Sequence, residues 1–353
     1  VISATATLTA DDILVDGRLN IDTGVTLNLA NDASDTPDML VNGYVYSEGI
    51  LSCNTGTVEF ASGSTFEHDV PTGGTLPLAT RTTWDANSTC LISGLTSGTT
   101  ITNLGGQSYG HFTWNCPAQT TATFDMNFNS TTVKGNFTVI NTNTRNLAFE
   151  NGATINVYVQ GDLILQGGNL IMNNASSART YLHLYGNYNQ TNGNFANGNS
   201  TGINEIYFYG AGKTYVQNGT GTLTNIRINY YFRNASSYSI NDDLAITASG
   251  RIIQVDVGAS VTLNTGTFTT VAGGSVNNAG TLMCGTNIIS GAGTFSLTNS
   301  ASSTLGIGDP NGITDLPAGP GAGNIQTTTR TGLVTGTIAT SANYIYNGSA
   351  AQV

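Results

Sequence analysis

A short unit centred on glycine recurs at a nearly constant interval, and it constrains the fold more than any other feature of the chain. The segments TTVKGNFTV, NVYVQGDLIL, YLHLYGNYN and IYFYGAGKT align on their central glycines, which are Gly135, Gly161, Gly186 and Gly210. Near the N-terminus, ILVDGRLNI and MLVNGYVYS align in the same way on Gly17 and Gly43. A repeat of about 25 residues indicates a solenoid, in which each unit stacks on the one before it.

Apolar residues flank each of these glycines at a distance of two positions. Those before it are Val133, Val159, Leu184 and Phe208, with Val15 and Val41 in the N-terminal pair. Those after it are Phe137, Leu163, Tyr188, Leu19 and Val45, whereas Gly212 breaks the pattern. Alternate residues of a strand face opposite sides, so these positions share an inward face. The pattern predicts an all-β, elongated parallel β-solenoid (a β-helix) with coils of about 25 residues and two or three strands per coil. An antiparallel β-sandwich, with strands roughly every 8–12 residues, is the alternative.

The regularity of the repeat divides the chain into four segments. We expect N-terminal solenoid coils over residues 1–66 and regular coils over 131–303. Between them, over 67–130, the pattern weakens and prolines interrupt it, which predicts coils with longer loops or an insertion. Residues 304–353 are predicted to form a turn-rich segment and the start of a further β repeat.

The composition narrows the possible partners. Charged residues make up 9% of the chain, where roughly 25% is usual. The formal net charge is -11, and Lys134 and Lys213 are the only lysines. Nucleic-acid binding needs a basic surface that displaces counterions, so we expect no nucleic-acid partner. No apolar run approaches the roughly 18 residues of a membrane span, so we expect no membrane insertion.

Three phrases carry a resemblance to a known group of proteins. The phrases GNFTVINTN, TWDANSTCLISG and GNIQTTTR followed by ANYIYNGSAAQV resemble very large surface proteins of Bacteroidota, with Gly/Thr/Asn-rich repeats, that are exported by the type IX secretion system. The resemblance is strongest over about 80–150 and 300–353. It implies an extracellular or cell-surface role, often as an adhesin or fibre, and supplies no catalytic motif. In that family further repeats and a sorting domain usually follow, so the chain is expected to be part of a longer protein.

Candidate catalytic groups are sparse. Parallel β-helices include polysaccharide lyases and hydrolases, which need clustered carboxylates or a base with cationic neighbours. The nearest clusters of acids here lie beside turn residues, where solvated loop carboxylates are the expected interpretation. They are Asp11–Asp12, Glu67-His68-Asp69 and Asp242–Asp243. Three adjacent residues cannot all point inward from one strand, so a metal site at 67–69 is not expected. We predict no catalytic residues, no metal site and no cofactor.

Tyrosines form the candidate ligand-binding site. Tyr185 and Tyr209 stand one residue before the aligned glycines, and Tyr158 and Tyr207 stand three residues before them. These positions alternate with the inward row and should face outward, and Tyr231 continues the series beyond Tyr209. Stacked coils would therefore set an exposed aromatic ladder on one face. Such a row can bind sugar rings, or it can serve only to stabilise the stack.

The spacing of the cysteines bears on possible disulfides. Cys53 and Cys284 would lie many coils apart, too far for a disulfide in a straight solenoid. Cys90 and Cys116 are separated by about one coil in the sequence and are predicted to form a disulfide, with buried free thiols as the alternative.

These features favour a non-catalytic extracellular surface protein, either an adhesin-like repeat region or a stalk. The first alternative is a structural subunit that assembles end to end into an extracellular filament through its terminal coil edges. The second is a polysaccharide-active enzyme on a β-helix. The expected partners are glycans or further copies of the chain, and the expected location is the cell surface.

Overall fold

The protein is a parallel β-solenoid with about 24 residues per turn, as the sequence predicts. The computed structural model describes residues 1–8, 13–31, 37–198, 201–217, 222–224, 227–297, 302–313, 323–331 and 342–348. The 3₁₀ helix Ala79–Arg81 is the only helix in these ranges, and no described helix is long and apolar enough to cross a membrane.

The strands are short and are numbered along the chain. The first are β1 (Ala6–Leu8), β2 (Ile13–Val15), β3 (Arg18–Ile21), β4 (Thr26–Leu29), β5 (Met39–Val41), β6 (Tyr44–Ser47), β7 (Ile50–Ser52), β8 (Val58–Phe60), β9 (Thr65–His68), β10 (Thr82–Trp84), β11 (Thr89–Ile92), β12 (Ser108–Tyr109) and β13 (His111–Asn115). The next are β14 (Thr123–Asp125), β15 (Thr131–Val133), β16 (Phe137–Asn141), β17 (Asn146–Glu150), β18 (Ile155–Val159), β19 (Leu163–Leu165), β20 (Asn169–Asn173), β21 (Thr180–Leu184), β22 (Tyr188–Gln190), β23 (Asn194–Ala196), β24 (Asn204–Phe208), β25 (Lys213–Gln217) and β26 (Thr222–Thr224). The last are β27 (Ile228–Phe232), β28 (Ser237–Ile240), β29 (Leu244–Ala245), β30 (Ile252–Val255), β31 (Ser260–Leu263), β32 (Phe268–Thr270), β33 (Ser275–Asn278), β34 (Thr281–Met283), β35 (Ile289–Leu297), β36 (Thr304–Ile307), β37 (Ile325–Thr331) and β38 (Asn343–Tyr346).

Successive strands lie on three faces, which the chain visits in a fixed order. The first face is a 14-stranded sheet that begins at β3 and ends at β38. The second face starts with β2, β5, β8 and β10 and continues from β12 through β24 and β30 to β33. The third face consists of β1–β4–β7, then β14–β17–β20–β23–β26, then β29–β32. The long strand β35 turns the corner between two faces, because its first part pairs with β32 and its second part with β33.

The repeated glycines lie above one another at the corner between the second and first faces. The Gly161 N–H donates a hydrogen bond to the Gly135 carbonyl at 3.0 Å. A Cβ atom on Gly161 would lie 2.5 Å from that carbonyl, and one on Gly186 would lie 2.1 Å from the Gly161 oxygen. The backbones of adjacent coils therefore approach too closely for any side chain, which is why glycine recurs here.

The apolar residues that flank the glycines fill the core, as predicted. The fully buried ones include Val133, Val159, Leu184 and Phe208 before the glycines and Phe137 and Leu163 after them. The repeat predicts that the residue two positions after Gly210, which is Gly212, lies above Tyr188. Tyr215 occupies that position instead, and its ring stacks on the Tyr188 ring at 4.7 Å. The corner between Phe208 and Tyr215 is longer than the one between Leu184 and Tyr188, and this difference shifts the pattern.

The third face is interrupted between β7 and β14. Residues 69–81 and 93–107 cross this side without a strand, and an isolated bridge between Thr75 and Thr102 is the β-pairing that the structure shows between them. A cleft of about 200 Å³ lies at the break, beside Leu51, Cys53 and Leu76. Parts of the segment 304–353 lie outside the described residues.

Candidate functional site

Four aromatic rings form a continuous stack on the second face. Strands β18, β21, β24 and β27 place Tyr158, His183, Tyr207 and Tyr231 in register on adjacent coils. Their ring centroids are 4.6, 5.1 and 5.1 Å apart, and successive ring planes differ by 13–18°. The spacing follows from parallel pairing, because neighbouring strands lie roughly 4.8 Å apart.

A second, shorter row runs beside the first at the ends of the same strands. Tyr185 stacks on Tyr209 at 4.9 Å, and His183 joins the two rows through its contact with the Tyr209 ring at 5.7 Å. All five tyrosines singled out from the sequence therefore come together, and with His183 they are called the tyrosine surface below. One placement differs from expectation: Tyr231 continues the row of Tyr207, whereas Arg233 follows Tyr209.

The rings of the main stack are partly buried, and each lies against a ring on a neighbouring coil. Tyr185 is the most accessible, at 39% exposure, and the other four tyrosines are partly buried. Within the stack, each inner ring has a neighbour on both faces. A ligand that approaches from solvent therefore meets ring edges and polar atoms.

Hydrogen bonds fix the orientation of these rings. The Tyr207 hydroxyl donates to the Glu205 carboxylate, and Asn229 Nδ2 donates to the Tyr231 hydroxyl at 3.3 Å. His183 Nε2 lies 3.0 Å from Asn156 Oδ1, so that nitrogen carries the proton. Burial, with a smaller contribution from the Arg233 charge, lowers the pKa of His183. Burial and the bond to Glu205 raise the pKa of Tyr207. The imidazole and the phenol are both neutral at pH 7.

Arginines border the tyrosine surface on both sides, and the sequence reasoning missed them. On one side, the Arg233 guanidinium lies over the rings of Tyr207 and Tyr231, 5.3 and 5.9 Å from their centroids, and forms an ion pair with Asp256 at 3.0 Å. On the other side, the residues that immediately precede β21, β27 and β30 are Arg179, Arg227 and Arg251. Burial lowers the pKa of Arg251, and repulsion from the other two arginines adds to the effect. The spacing of these arginines in the sequence could have revealed the row. The interval from Arg179 to Arg227 equals two coils, and the interval from Arg227 to Arg251 equals one coil.

A smaller cluster of charged and aromatic groups lies near the N-terminal end of the first face. The Arg18 guanidinium lies 4.9 Å from the Tyr44 ring and 4.8 Å from the Tyr46 ring. The Tyr44 hydroxyl donates to Glu67, and the Tyr46 hydroxyl donates to Asp69 at 2.6 Å. Burial and the Glu67 carboxylate raise the pKa of Tyr44 to about 12. Each acid in this cluster therefore has a hydroxyl partner.

The remaining acidic candidates support the backbone where the structure describes them. His68 points into the core while Glu67 and Asp69 point outward, as strand alternation requires. Asp242 accepts a hydrogen bond from the Gln217 N–H at 2.8 Å, and Asp243 accepts one from the Thr267 N–H at 2.9 Å. Asp11 and Asp12 lie outside the described residues. No group of three His, Cys, Asp or Glu side chains suited to a metal occurs in the described ranges.

The predicted disulfide between Cys90 and Cys116 is not present. Cys90 pairs in register with Phe112, because the coil between them is shorter than the repeat predicts, and Cys116 lies four positions further along. Four extended residues span roughly 13 Å, beyond the ~7 Å that a disulfide allows. Cys116 Sγ instead donates to the Ile92 carbonyl at 3.5 Å, and all four cysteines are buried free thiols.

Fold and surface together define the chain as a parallel β-solenoid with an aromatic and cationic strip along one face. No protein-family model matches the chain, and no curated protein or solved structure is significantly similar to it.

Proposed function

We propose that the chain is a non-catalytic, extracellular surface module of the adhesin type, which binds glycans through the tyrosine surface. The observation that carries the proposal is the run of stacked aromatic rings on four successive coils. A repeated row of hydroxyl groups matches a ligand that is itself a repeated chain of hydroxyl-bearing rings. The resemblance to large Bacteroidota surface proteins, exported by type IX secretion, supports the cell-surface location.

The arrangement of the other polar groups favours binding over catalysis. Asp242 and Asp243, one of the clusters of acids in the sequence, each accept a backbone hydrogen bond from a neighbouring coil. A solenoid gives reach at low structural cost, since each coil adds about one strand spacing of length. An adhesin benefits from that reach, because it carries a binding face away from the cell.

Glycan-array binding tests the proposal. We compare the wild type with the double variant Tyr185→Ala/Tyr209→Ala, which removes the more accessible row. The matched control is Tyr44→Ala/Tyr46→Ala, which removes two partly exposed tyrosines from a different face. The proposal expects glycan signals that the first variant loses and the control retains.

Two readouts separate binding from a purely structural role of the rings. Stacked aromatic pairs are worth about 0.5–1.5 kcal/mol each, so the double variant will be somewhat less stable in either case. Circular dichroism and thermal unfolding establish that both variants are folded at the assay temperature. Equal array signals from the folded wild type and the folded Tyr185/Tyr209 variant would remove the tyrosine surface as the binding site.

A further inference from the structure

We propose that the tyrosine surface binds an acidic polysaccharide, a chain of sugar rings that carry carboxylate or sulfate groups. This inference rests on the proposed glycan-binding function and specifies the class of glycan. It is carried by the juxtaposition of the stacked rings with four arginines, three of which border strands β21 and β27 of that surface and one of which precedes the next strand, β30.

Ring stacking within the protein argues against a neutral sugar held by apolar contact. Sugar rings bind aromatic side chains through the flat face of the aromatic ring. In the main stack that face is covered by the next ring on either side of His183 and of Tyr207. The groups that remain available are hydroxyls, ring edges and the neighbouring guanidinium groups. These groups favour a ligand with many hydrogen-bonding atoms and with negative charge.

The arginine row forms no ion pair in the described part of the chain, although the Glu205 charge acts on Arg251 from a distance. Arg179, Arg227 and Arg251 have no ion-pair partner among the described residues, whereas Arg233 pairs with Asp256. One guanidinium nitrogen of Arg251, Nη1, is shielded from solvent and has no hydrogen-bond partner in the described part of the chain. Neighbouring like charges repel, and an unpaired buried donor is costly. A carboxylate or sulfate group bound beside the three arginines relieves their mutual repulsion.

The chain as a whole is negatively charged, which favours this strip as the place where an anionic ligand binds. The chain has a formal net charge of -11, yet four of its ten basic residues border the tyrosine surface. Among the described residues, Glu205 accepts a hydrogen bond from this surface and Asp256 pairs with Arg233, so the strip has an excess of positive charge. Local charge of opposite sign to the whole molecule directs an anionic chain to one face.

The repeat of the surface favours a linear polymer over a small anion or a folded partner. The column of Tyr158 and Tyr207 continues in both directions with polar side chains in register. These are Ser108 and Thr132 on the preceding coils and Gln254, Asn277 and Ser296 on the following coils. A polysaccharide that lies along the solenoid axis would place its sugars over successive coils, where each meets an equivalent polar side chain.

Polygalacturonate and its fully methyl-esterified form provide a matched pair of probes. Both have the same sugar chain, and only the first carries carboxylates. We expect the wild type to bind polygalacturonate at least about tenfold more tightly than the ester in calorimetry, since one charge-assisted hydrogen bond is worth that much. We also expect this binding to weaken as salt is raised from about 50 to about 500 mM, since salt screens exposed charges. Poly-L-glutamate, a polyanion without sugar rings, is expected to bind more weakly than polygalacturonate.

The test variant is Arg179→Gln/Arg227→Gln/Arg251→Gln, and its control is Arg18→Gln/Arg81→Gln/Arg145→Gln. Both remove three positive charges, so they change the net charge equally. We expect the affinity for polygalacturonate to fall about tenfold or more in the first variant and to change little in the control variant. Equal binding of the acid and the ester would overturn the acidic ligand while leaving the glycan-binding function in place. Equal binding of poly-L-glutamate would overturn the sugar requirement. Absence of binding to polygalacturonate would overturn the acidic-polysaccharide inference, whereas the glycan array decides the glycan-binding function separately.

Discussion

Asp162 Oδ1 accepts two hydrogen bonds from Asn187 on the next coil, one from the backbone N–H at 2.7 Å and one from side-chain Nδ2 at 3.0 Å. The same link recurs on either side: Asn136 Oδ1 accepts the Asp162 N–H at 2.9 Å, and Asn187 Oδ1 accepts the Thr214 N–H at 2.9 Å. A Cβ atom on Gly186 would lie 2.5 Å from Asp162 Oδ1. The recurring dipeptide of glycine and Asn or Asp therefore follows from the packing at this corner: glycine leaves room for the backbone of the preceding coil and also for the Asn or Asp side chain that follows the glycine there.

Removal of one side chain from this ladder, the series of hydrogen bonds that links Asn136, Asp162 and Asn187 on successive coils, should destabilise the solenoid. Asp162→Ala leaves the Asn187 N–H without its partner, and an unsatisfied backbone donor costs about 1–3 kcal/mol. Urea unfolding, followed by circular dichroism, measures the loss. Asp162→Asn should restore most of it, because the amide oxygen of Asn136 makes the equivalent bond at the preceding rung. Asn189→Ala, an outward residue on strand β22, is the control and should change stability by less than about 0.5 kcal/mol.

Gly161→Ala tests the close approach of coils at the same corner. The new methyl group would lie 2.5 Å from the Gly135 carbonyl and 2.6 Å from Asn136 Oδ1, so one of the two coils must move. Overpacking of this kind costs about 1–3 kcal/mol. Gly17→Ala is the matched control at the equivalent position of the N-terminal unit, where no atom lies within 4 Å of the added Cβ. Comparable unfolding midpoints for the two variants would contradict the stacked-glycine explanation.

Parts of this architecture could be predicted from the sequence because they depend on local rules. Strand alternation placed Val133 and Phe137 inside, and the repeated glycines gave the coil length. The alignment of residues between adjacent coils was predicted less well, because it depends on the lengths of individual coils, and these lengths vary along the first face. The coil from Tyr188 to its partner Tyr215 is longer than the coil from Ser260 to its partner Thr281. Because of this variation, Cys116 was placed above Cys90, although the shorter coil puts Phe112 there. Tyr231 was placed after Tyr209, whereas the regular coil length on the second face puts it in the row of Tyr207.

The arginine border shows a second limit of reasoning from the pattern of strands. Arg179, Arg227 and Arg251 lie just before their strands, outside the alternating positions that were aligned. Their importance comes from the rows that they flank, and that relationship appears only once the coils are stacked. The ladder of Asn136, Asp162 and Asn187 was visible in the sequence as residues that follow glycine, but their hydrogen bonds were not.

His68 should make stability depend on pH between about 5 and 7. Its Nε2 donates to the Gly73 carbonyl, so Nδ1 is unprotonated, and Nδ1 is buried without a partner in the described part of the chain. Burial lowers the pKa of this imidazole below its usual value of 6.5. A group with a depressed folded-state pKa binds its proton more readily in the unfolded chain. The contribution of neutral His68 to the free energy of unfolding is therefore fully present above pH 6.5. It is lost as the pH falls, by at most about 1.4 kcal/mol per pH unit.

Urea unfolding midpoints of the wild type and of His68→Gln between pH 5 and 7.5 measure this effect. Glutamine can still donate to the Gly73 carbonyl but does not titrate, so its midpoint should vary less with pH. His183, whose pKa is also lowered, remains in both proteins and contributes equally to both curves. Parallel curves for the two proteins would show that His68 does not titrate in this range.

Thiol counting distinguishes free cysteines from the disulfide that the spacing suggested. All four cysteines are buried, and burial raises the pKa of Cys53, Cys116 and Cys284 to about 12 and that of Cys90 still higher. At pH 8 a thiol with a pKa of about 12 is ionised in about one molecule in ten thousand, and the thiolate is the reactive form. Iodoacetamide should therefore leave the native protein unmodified over minutes and should modify four cysteines in guanidinium without reductant. Modification of only two cysteines in the unfolded chain would mean that a disulfide forms despite the offset between Cys90 and Cys116.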